Sequence, residues 1–297
     1  MLALALPGAA AAQAPPVRLA APADCLANPN CGVGLRSVYG LRVDAAFVKL
    51  AVADAGVGAL DDGLAEVAVA FTSSPSVSRP DVLSLRDDKD LLKPDHIVPV
   101  VRSSVLRAYG RDGARDIRRR LNAASALIST RVLRSLNQQV ADGRLPEAVG
   151  GEFIDANGLG GDRARRSGPR IVFGYQDFAE NETLAELYAE ALRAGGYQVV
   201  VRAAGGFRKE TVGMLRAGRI GAYPAYSRSL LGFLLDRPER REGIGAPLRA
   251  ALARIGVEPQ RFAPGENRNV FVMKRDAATQ LRITKVSDLA RYWQTAS

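Results

Sequence analysis

Few side chains in this 297-residue chain could do chemistry, and their types exclude more than they allow. The single histidine, His96, leaves no material for a catalytic triad or a His-ligated metal centre. The two cysteines, Cys25 and Cys31 in "DCLANPNCGVGL", cannot complete a four-ligand metal site and lack the CxxC redox spacing. What remains are loops gathering aromatic, acidic and basic groups: "GYQDFAENET", "AAGGFRKET", "AYPAYSRS" and "APGENRN". These groups bind rather than transform, since an aromatic face attracts a cation and an Arg or helix N-terminus attracts an anion. Aromatics make up only 6% of the chain, so their clustering in candidate loops is informative. No cofactor and no enzyme activity is expected.

The elements that must position these loops follow from periodicity. Beyond residue 168 the chain alternates between strands at 170–174, 197–203 and 219–223 and helices at 182–195, 208–217, 227–235 and 243–255. An extended "NVFVMKR" (269–275) and a helix "KVSDLARYWQ" follow. Such alternation predicts an open sheet with parallel strands and helices on both faces, binding ligands at the carboxyl ends of its strands. Upstream, strands are expected at 17–22, 43–50, 65–71 and 81–85, with a short helix at 32–40 stopped by Gly40. "HIVPVVR" (96–102) reads as extended, its Pro99 arguing for an edge or crossover segment. From 103 to about 157 the spacing is helical, with Ser129 or Thr130 as a candidate N-cap. The Gly- and Arg-rich "GLGGDRARRSG" (158–168) reads as a solvated, flexible linker.

A net charge of +10 raises nucleic acid or an anionic membrane as partners. The Arg residues are spread along helices and no nucleic-acid motif is present, so neither is expected. Residues 1–16, "MLALALPGAAAAQAPP", resemble the tail of a secretory signal with Ala12-Gln13-Ala14 as the cleavage site. In an exported protein, a disulfide between Cys25 and Cys31 closing the Asn28-Pro29-Asn30 turn is the natural reading; unpaired buried thiols are the alternative if it is not exported.

Taken together, the motifs resemble a known family. "IVFGYQDFAENETLAELYAEALRAGGYQV", "GMLRAGRIGAYPAYSRSLL" and "NRNVFVMKRDAATQLRITKVSDLARY" resemble the first half of the osmoprotectant (glycine betaine/carnitine/choline) substrate-binding proteins of ABC importers. "CLANPNCGVGLRSVYGLRV", "LDDGLAEVAVAFTSSPSV" and "LSLRDDKDLLKPDHIVPVVR" are similar to the family's second half. The resemblance covers nearly the whole chain with the halves exchanged, as in a circular permutant joined at 158–168, or in a slice through a tandem duplication, which gives the same order. It implies an α/β fold of two lobes, a type II periplasmic-binding-protein clamp whose lobes are open, mostly parallel sheets flanked by helices. One lobe would comprise 17–97 plus 284–297, and the other 98–283.

The resemblance also implies site residues. Tyr223 and Tyr226 fall on the family's loop tyrosines, and Thr72 and Ser73 on its polar "TT" or "ST" loop, with Phe71 a further ligand-binding candidate. Gln176 replaces a family Lys, Asp95 a family Tyr, and Ser227-Arg228-Ser229 the family's "TGT". Tyr175 replaces a small residue and offers an aromatic face, while Arg228 offers a charge for an anionic ligand. Asp177, Glu180 and Glu182 read as capping groups around a helix start. The implied function is an extracytoplasmic solute-binding protein, monomeric, meeting the membrane only through an ABC permease. Its solute would be a small quaternary-ammonium or zwitterionic molecule. A ligand-sensing module that keeps the clamp without transport is the alternative.

Overall fold

The computed structural model describes residues 17–51, 55–161, 166–237, 239 and 242–295. The signal-like stretch 1–16 and linker residues 162–165 lie outside them.

The strands are β1 (Leu19–Pro22), β2 (Leu41–Arg42), β3 (Phe47–Leu50), β4 (Val67–Phe71), β5 (Val82–Ser84), β6 (Ile97–Arg102), β7 (Ile171–Tyr175), β8 (Val199–Ala203), β9 (Ala222–Tyr226), β10 (Val257–Pro259), β11 (Asn269–Lys274) and β12 (Gln294–Thr295). They build two main sheets, ordered β3-β1-β4-β11-β5 and β10-β6-β9-β7-β8. Each sheet has the same plan. A first strand lies between two parallel partners, and an antiparallel strand delivered by a crossover is inserted before an edge strand. The sheets are therefore mixed, where alternation alone predicted parallel strands. The antiparallel members are the crossover strands β6 and β11, which carry the chain from one lobe into the other.

This exchange moves one expected boundary. β11 pairs with β4 and β5, so residues from 269 onward belong with 17–97 rather than with 98–283. Ala278 and Ile283 sit in the same apolar cluster as Leu19 and Val69. Trp293 Nε1 donates to Val17 O at 2.7 Å, and β12 pairs with β2, so the two described ends of the chain meet in this lobe.

Central strands are apolar on both faces because both are covered. In β6, Ile97 and Val101 face one cluster while Val98 and Val100 face the other. Pro99 does not mark an edge, since β6 has neighbours on both sides. It pairs with Pro224 of β9, and the carbonyls of both prolines point away from this pairing, to Gln260 N and Asn181 Nδ2. In an antiparallel ladder N–H and C=O share a side, so neither missing N–H removes a bond between β6 and β9.

The helices are α1 (Gly32–Gly34), α2 (Gly56–Asp61), α3 (Ser103–Ala108), α4 (Gly110–Leu127), α5 (Thr130–Ala141), α6 (Pro146–Ala156), α7 (Ala179–Arg193), α8 (Arg208–Arg216), α9 (Ser227–Leu234), α10 (Gly245–Ala253) and α11 (Arg275–Leu281). Ser129 caps α5 by accepting from Val132 N, as expected. Gly150 lets α6 close on α7, because a Cβ there would lie 2.7 Å from Leu187 N. The described end of the linker, from residue 166, is tied to its surroundings. Arg166 bonds the carbonyls of Gly195 and Gly196, pairs with Asp116 at 3.3 Å and lies over the Tyr197 ring. Tyr109, edge-on to Tyr197, donates to Pro169 O.

Cys25 and Cys31 are paired, closing a loop of sequence separation 6. Loop-closure entropy for so short a loop is about 2 kcal/mol. Replacing both cysteines with serine is expected to lower the unfolding free energy by about that amount in urea denaturation. An unchanged midpoint would mean the turn is held by its hydrogen bonds alone.

Candidate functional site

The carboxyl ends of β7 and β9 and the crossover preceding β11 converge on Glu180. The start of α7 at Ala179, earlier than the spacing predicted, places Glu180 inside the first helical turn and buries it to 8% exposure. Its Oε1 accepts from the Tyr226 hydroxyl at 2.6 Å and Asn267 Nδ2 at 2.7 Å, and Oε2 accepts from Asn137 Nδ2 at 2.6 Å. All are neutral donors, and Glu180 has no ion-pair partner among the described residues. The helix N-terminus adds favourable field. Burial, then the Glu180 carboxylate, push the Tyr226 hydroxyl well above the ordinary phenol range, so it remains a donor. The Phe178 ring, 40% exposed, stacks on Tyr226 at 6.2 Å.

The same cluster joins the lobes. Asn137 also donates to Ser73 O at 3.0 Å, and Arg134 Nε to Thr72 O at 2.6 Å. Burial lowers the Arg134 pKa and the Glu266 charge opposes that. Thr72 exchanges bonds with Arg268 through its N–H and hydroxyl. Phe71, ending β4, lies opposite Asn269. Asn181, fully buried, accepts from Gln176 N and donates to Pro224 O, fixing the β7–α7 loop to β9. Gln176 is buried at this loop. The Tyr175 hydroxyl is turned to an acidic group: burial raises its pKa first, with Glu182 adding to the rise.

Tyr223 and Tyr226 both belong to β9 but, three positions apart, face opposite sides of the sheet. Tyr226 packs with Ile97 and Leu184, Tyr223 with Val98, Val212 and Leu230. The structure therefore does not join them in one aromatic wall. On the Tyr223 side, Asp95 accepts from Arg228 N at 2.6 Å and from the Ser229 N–H and hydroxyl, capping α9 from a distant segment. The Arg228 guanidinium is spent on the carbonyls of Pro94 and Glu239 rather than left in solvent. Sequence reasoning missed Glu180 as a hub, together with Phe178, Asn137 and Asn267. The available signal was a carboxylate, two amides and an aromatic in segments that must meet at strand ends.

Two sheets of this order, exchanging crossover strands and meeting at a polar cluster, define a type II two-lobed solute-binding clamp. The family model for the substrate-binding domain of ABC-type glycine betaine transport systems matches residues 9–156 and 169–296, and the chain belongs to this family. The break between the matched segments falls on the Gly/Arg linker. No curated protein matches. Among solved structures, the phosphate-binding protein of a phosphate ABC transporter from Streptococcus pneumoniae TIGR4 is 10% identical, with 95% of this chain and 97% of that one covered and a TM-score of 0.48. An ancestral arginine-binding protein bound to arginine is 13% identical over 93% and 92%, with a TM-score of 0.39. Apo YehZ from Escherichia coli is 12% identical over 95% and 89%, with a TM-score of 0.40. The family's members serve ABC importers, so the chain binds a small molecule for a permease and is not an enzyme. Among the described residues no cluster of His, Cys, Asp and Glu is set to hold a metal, and no helix is long and apolar enough to cross a membrane.

Asp95 gives this site a pH signature. Burial raises its pKa, and the bonds from Ser229 and Arg228 only partly oppose this. A carboxyl whose folded pKa is raised is favoured when protonated, so its contribution is greatest below the ordinary Asp pKa of about 3.9 and falls as pH rises through the raised value. D95N lacks this ionisation. Wild-type stability should therefore decline relative to D95N between acidic and neutral pH in urea denaturation, and a constant difference would contradict the assignment.

Proposed function

We propose that the solute is a small quaternary-ammonium or zwitterionic compound of the glycine betaine or choline kind, with its cationic end against Glu180, Tyr226 and Phe178. Glu180 carries this reading, as a buried carboxylate at the lobe boundary whose hydrogen-bond partners are all neutral. Three neutral donors already occupy most of its acceptor capacity, so it offers charge with little demand for a further donor. A quaternary ammonium has no N–H to give and is held by charge and aromatic faces. The exposed Phe178 ring supplies such a face. Phe71, Thr72, Ser73, Tyr175 and Gln176 frame the approach from the adjoining loops. The protein acts outside the cytoplasm after export through a signal peptide, as a monomer, handing its solute to an ABC permease.

Isothermal titration with choline, glycine betaine and carnitine tests this reading. Wild type should bind at least one, and E180Q should weaken that binding tenfold or more, about 1.4 kcal/mol. F178L, which keeps an apolar side chain but loses the ring, should weaken it severalfold, consistent with about 0.5–2 kcal/mol for a cation–π contact. Wild-type protein that binds none of the three, or an E180Q variant folded and binding normally, would contradict the proposal.

A further inference from the structure

The net charge of +10 is not shared between the lobes. Residues 98–268 hold 28 Lys and Arg against 18 Asp and Glu, while 17–97 and 269–297 together hold 13 of each. One lobe is electrically balanced and the other carries the whole excess. Its arginines are spread along the sequence, but the fold gathers a group of them at one end of the sheet. Strands β7, β9 and β10 run parallel to one another and β6 runs against them. The amino ends of the first three and the carboxyl end of β6 therefore lie together, a full strand length from the Glu180 cluster. Each of these four adjacent strands brings an arginine to that end. Arg254 stands three residues before β10, Arg102 closes β6, Arg219 stands three residues before β9, and Arg170 immediately precedes β7.

The pairing of Phe173 with Ala222 sets Arg170 level with Arg219. The Arg102 guanidinium fills the space that a Cβ on Gly218 would need, so it rests against the turn that carries Arg219. Arg216, ending α8, adds a fifth charge at the same turn. With strands about 4.8 Å apart, these residues form a continuous basic row. Arg170, Arg216, Arg219 and Arg254 are exposed, and none of the five side chains makes a hydrogen bond or ion pair among the described residues. The acids of α4, Asp112 and Asp116, are already paired with Arg115 and with Arg119 and Arg120. Like charges held this close repel one another, and an anionic partner relieves that repulsion. A guanidinium presents a planar fork of donors that matches phosphate oxygens. Members of this family serve ABC importers, so the protein delivers to a permease set in a bilayer, and the phosphate-rich surface beside that permease is the headgroup layer. We infer that this arginine row is a membrane-facing pole, by which the protein rests on anionic phospholipid headgroups with its cleft, at the other end of the lobe, left free. Such contact holds the protein near the bilayer that contains its permease and raises its local concentration there.

The inference uses the family membership and not the proposed solute, so it stands or falls apart from the solute titrations. The test is co-sedimentation of the purified chain with phosphatidylcholine vesicles, with and without phosphatidylglycerol, and thermal melts confirm that each variant is folded. Wild type should sediment with the anionic vesicles and not with the neutral ones. Salt near 1 M, where the screening length is about 3 Å, should release it. R170Q/R219Q/R254Q should lose roughly tenfold or more in vesicle affinity, because each basic residue at an anionic surface adds to the attraction. The charge-matched variant R42Q/K49Q/R86Q, which removes three exposed cations from the balanced lobe, should stay within about twofold of wild type. Wild type that ignores anionic vesicles, or a folded R170Q/R219Q/R254Q variant that binds them as wild type does, overturns the proposal. An equal loss by both triple variants assigns the effect to net charge rather than to this pole, and also overturns it. Binding of duplex DNA through the same three arginines, without binding of vesicles, replaces the membrane with a nucleic acid and overturns it as well.

Discussion

A carboxylate removed from water must be compensated, and Glu180 is compensated by amides and a phenol rather than by a cation. That constraint organises the middle of the molecule. Asn137 comes from the helical layer, Asn267 from the crossover into β11, and Tyr226 from the end of β9; each is fixed by its own element before it reaches the carboxylate. Asn137 and Arg134 then carry bonds on to the backbone of Ser73 and Thr72 in the other lobe. The buried carboxylate and the bonds that run between the lobes thus belong to one network. In the proposed reading, a cationic solute beside Glu180 would act on the same groups that bond one lobe to the other.

The two faces of β9 pack into different clusters. Odd and even positions of a strand look in opposite directions, so one short sequence, "AYPAY", supplies Tyr226 to the carboxylate side and Tyr223 to the side that packs against α8 and α9. The prolines facing each other across β6 and β9 leave carbonyls available outward, and Asn181 uses one of them to hold the β7–α7 loop. Asp95, which the resemblance placed among ligand contacts, bonds Arg228 N and the Ser229 N–H and hydroxyl at the start of α9.

Much of this was readable in the sequence. Long apolar runs, the Ser129 cap, the loops at strand ends and the family resemblance all follow from local spacing or local motif. The errors share a cause, because they depend on partners distant in the chain. β11 pairs with β4 and β5, and no local pattern says in which sheet an extended apolar segment will lie. Pro99 left an edge and a crossover segment both open, and the crossover reading held, because the proline opposite it at 224 lets β6 keep a partner on each side. Glu180 looked like a capping carboxylate because its neutral donors come from residues 137, 226 and 267. Shifts of a few residues in element boundaries mattered most at β9, where they decided which way each tyrosine faces.

The most direct test of the central role of Glu180 is a crystal structure of the protein with choline or carnitine bound. The account predicts the quaternary nitrogen over the Phe178 ring and beside the Glu180 carboxylate, with the bonds from Tyr226, Asn137 and Asn267 to that carboxylate retained. A bound ammonium group elsewhere in the molecule, with Glu180 unchanged and remote from it, would contradict the account.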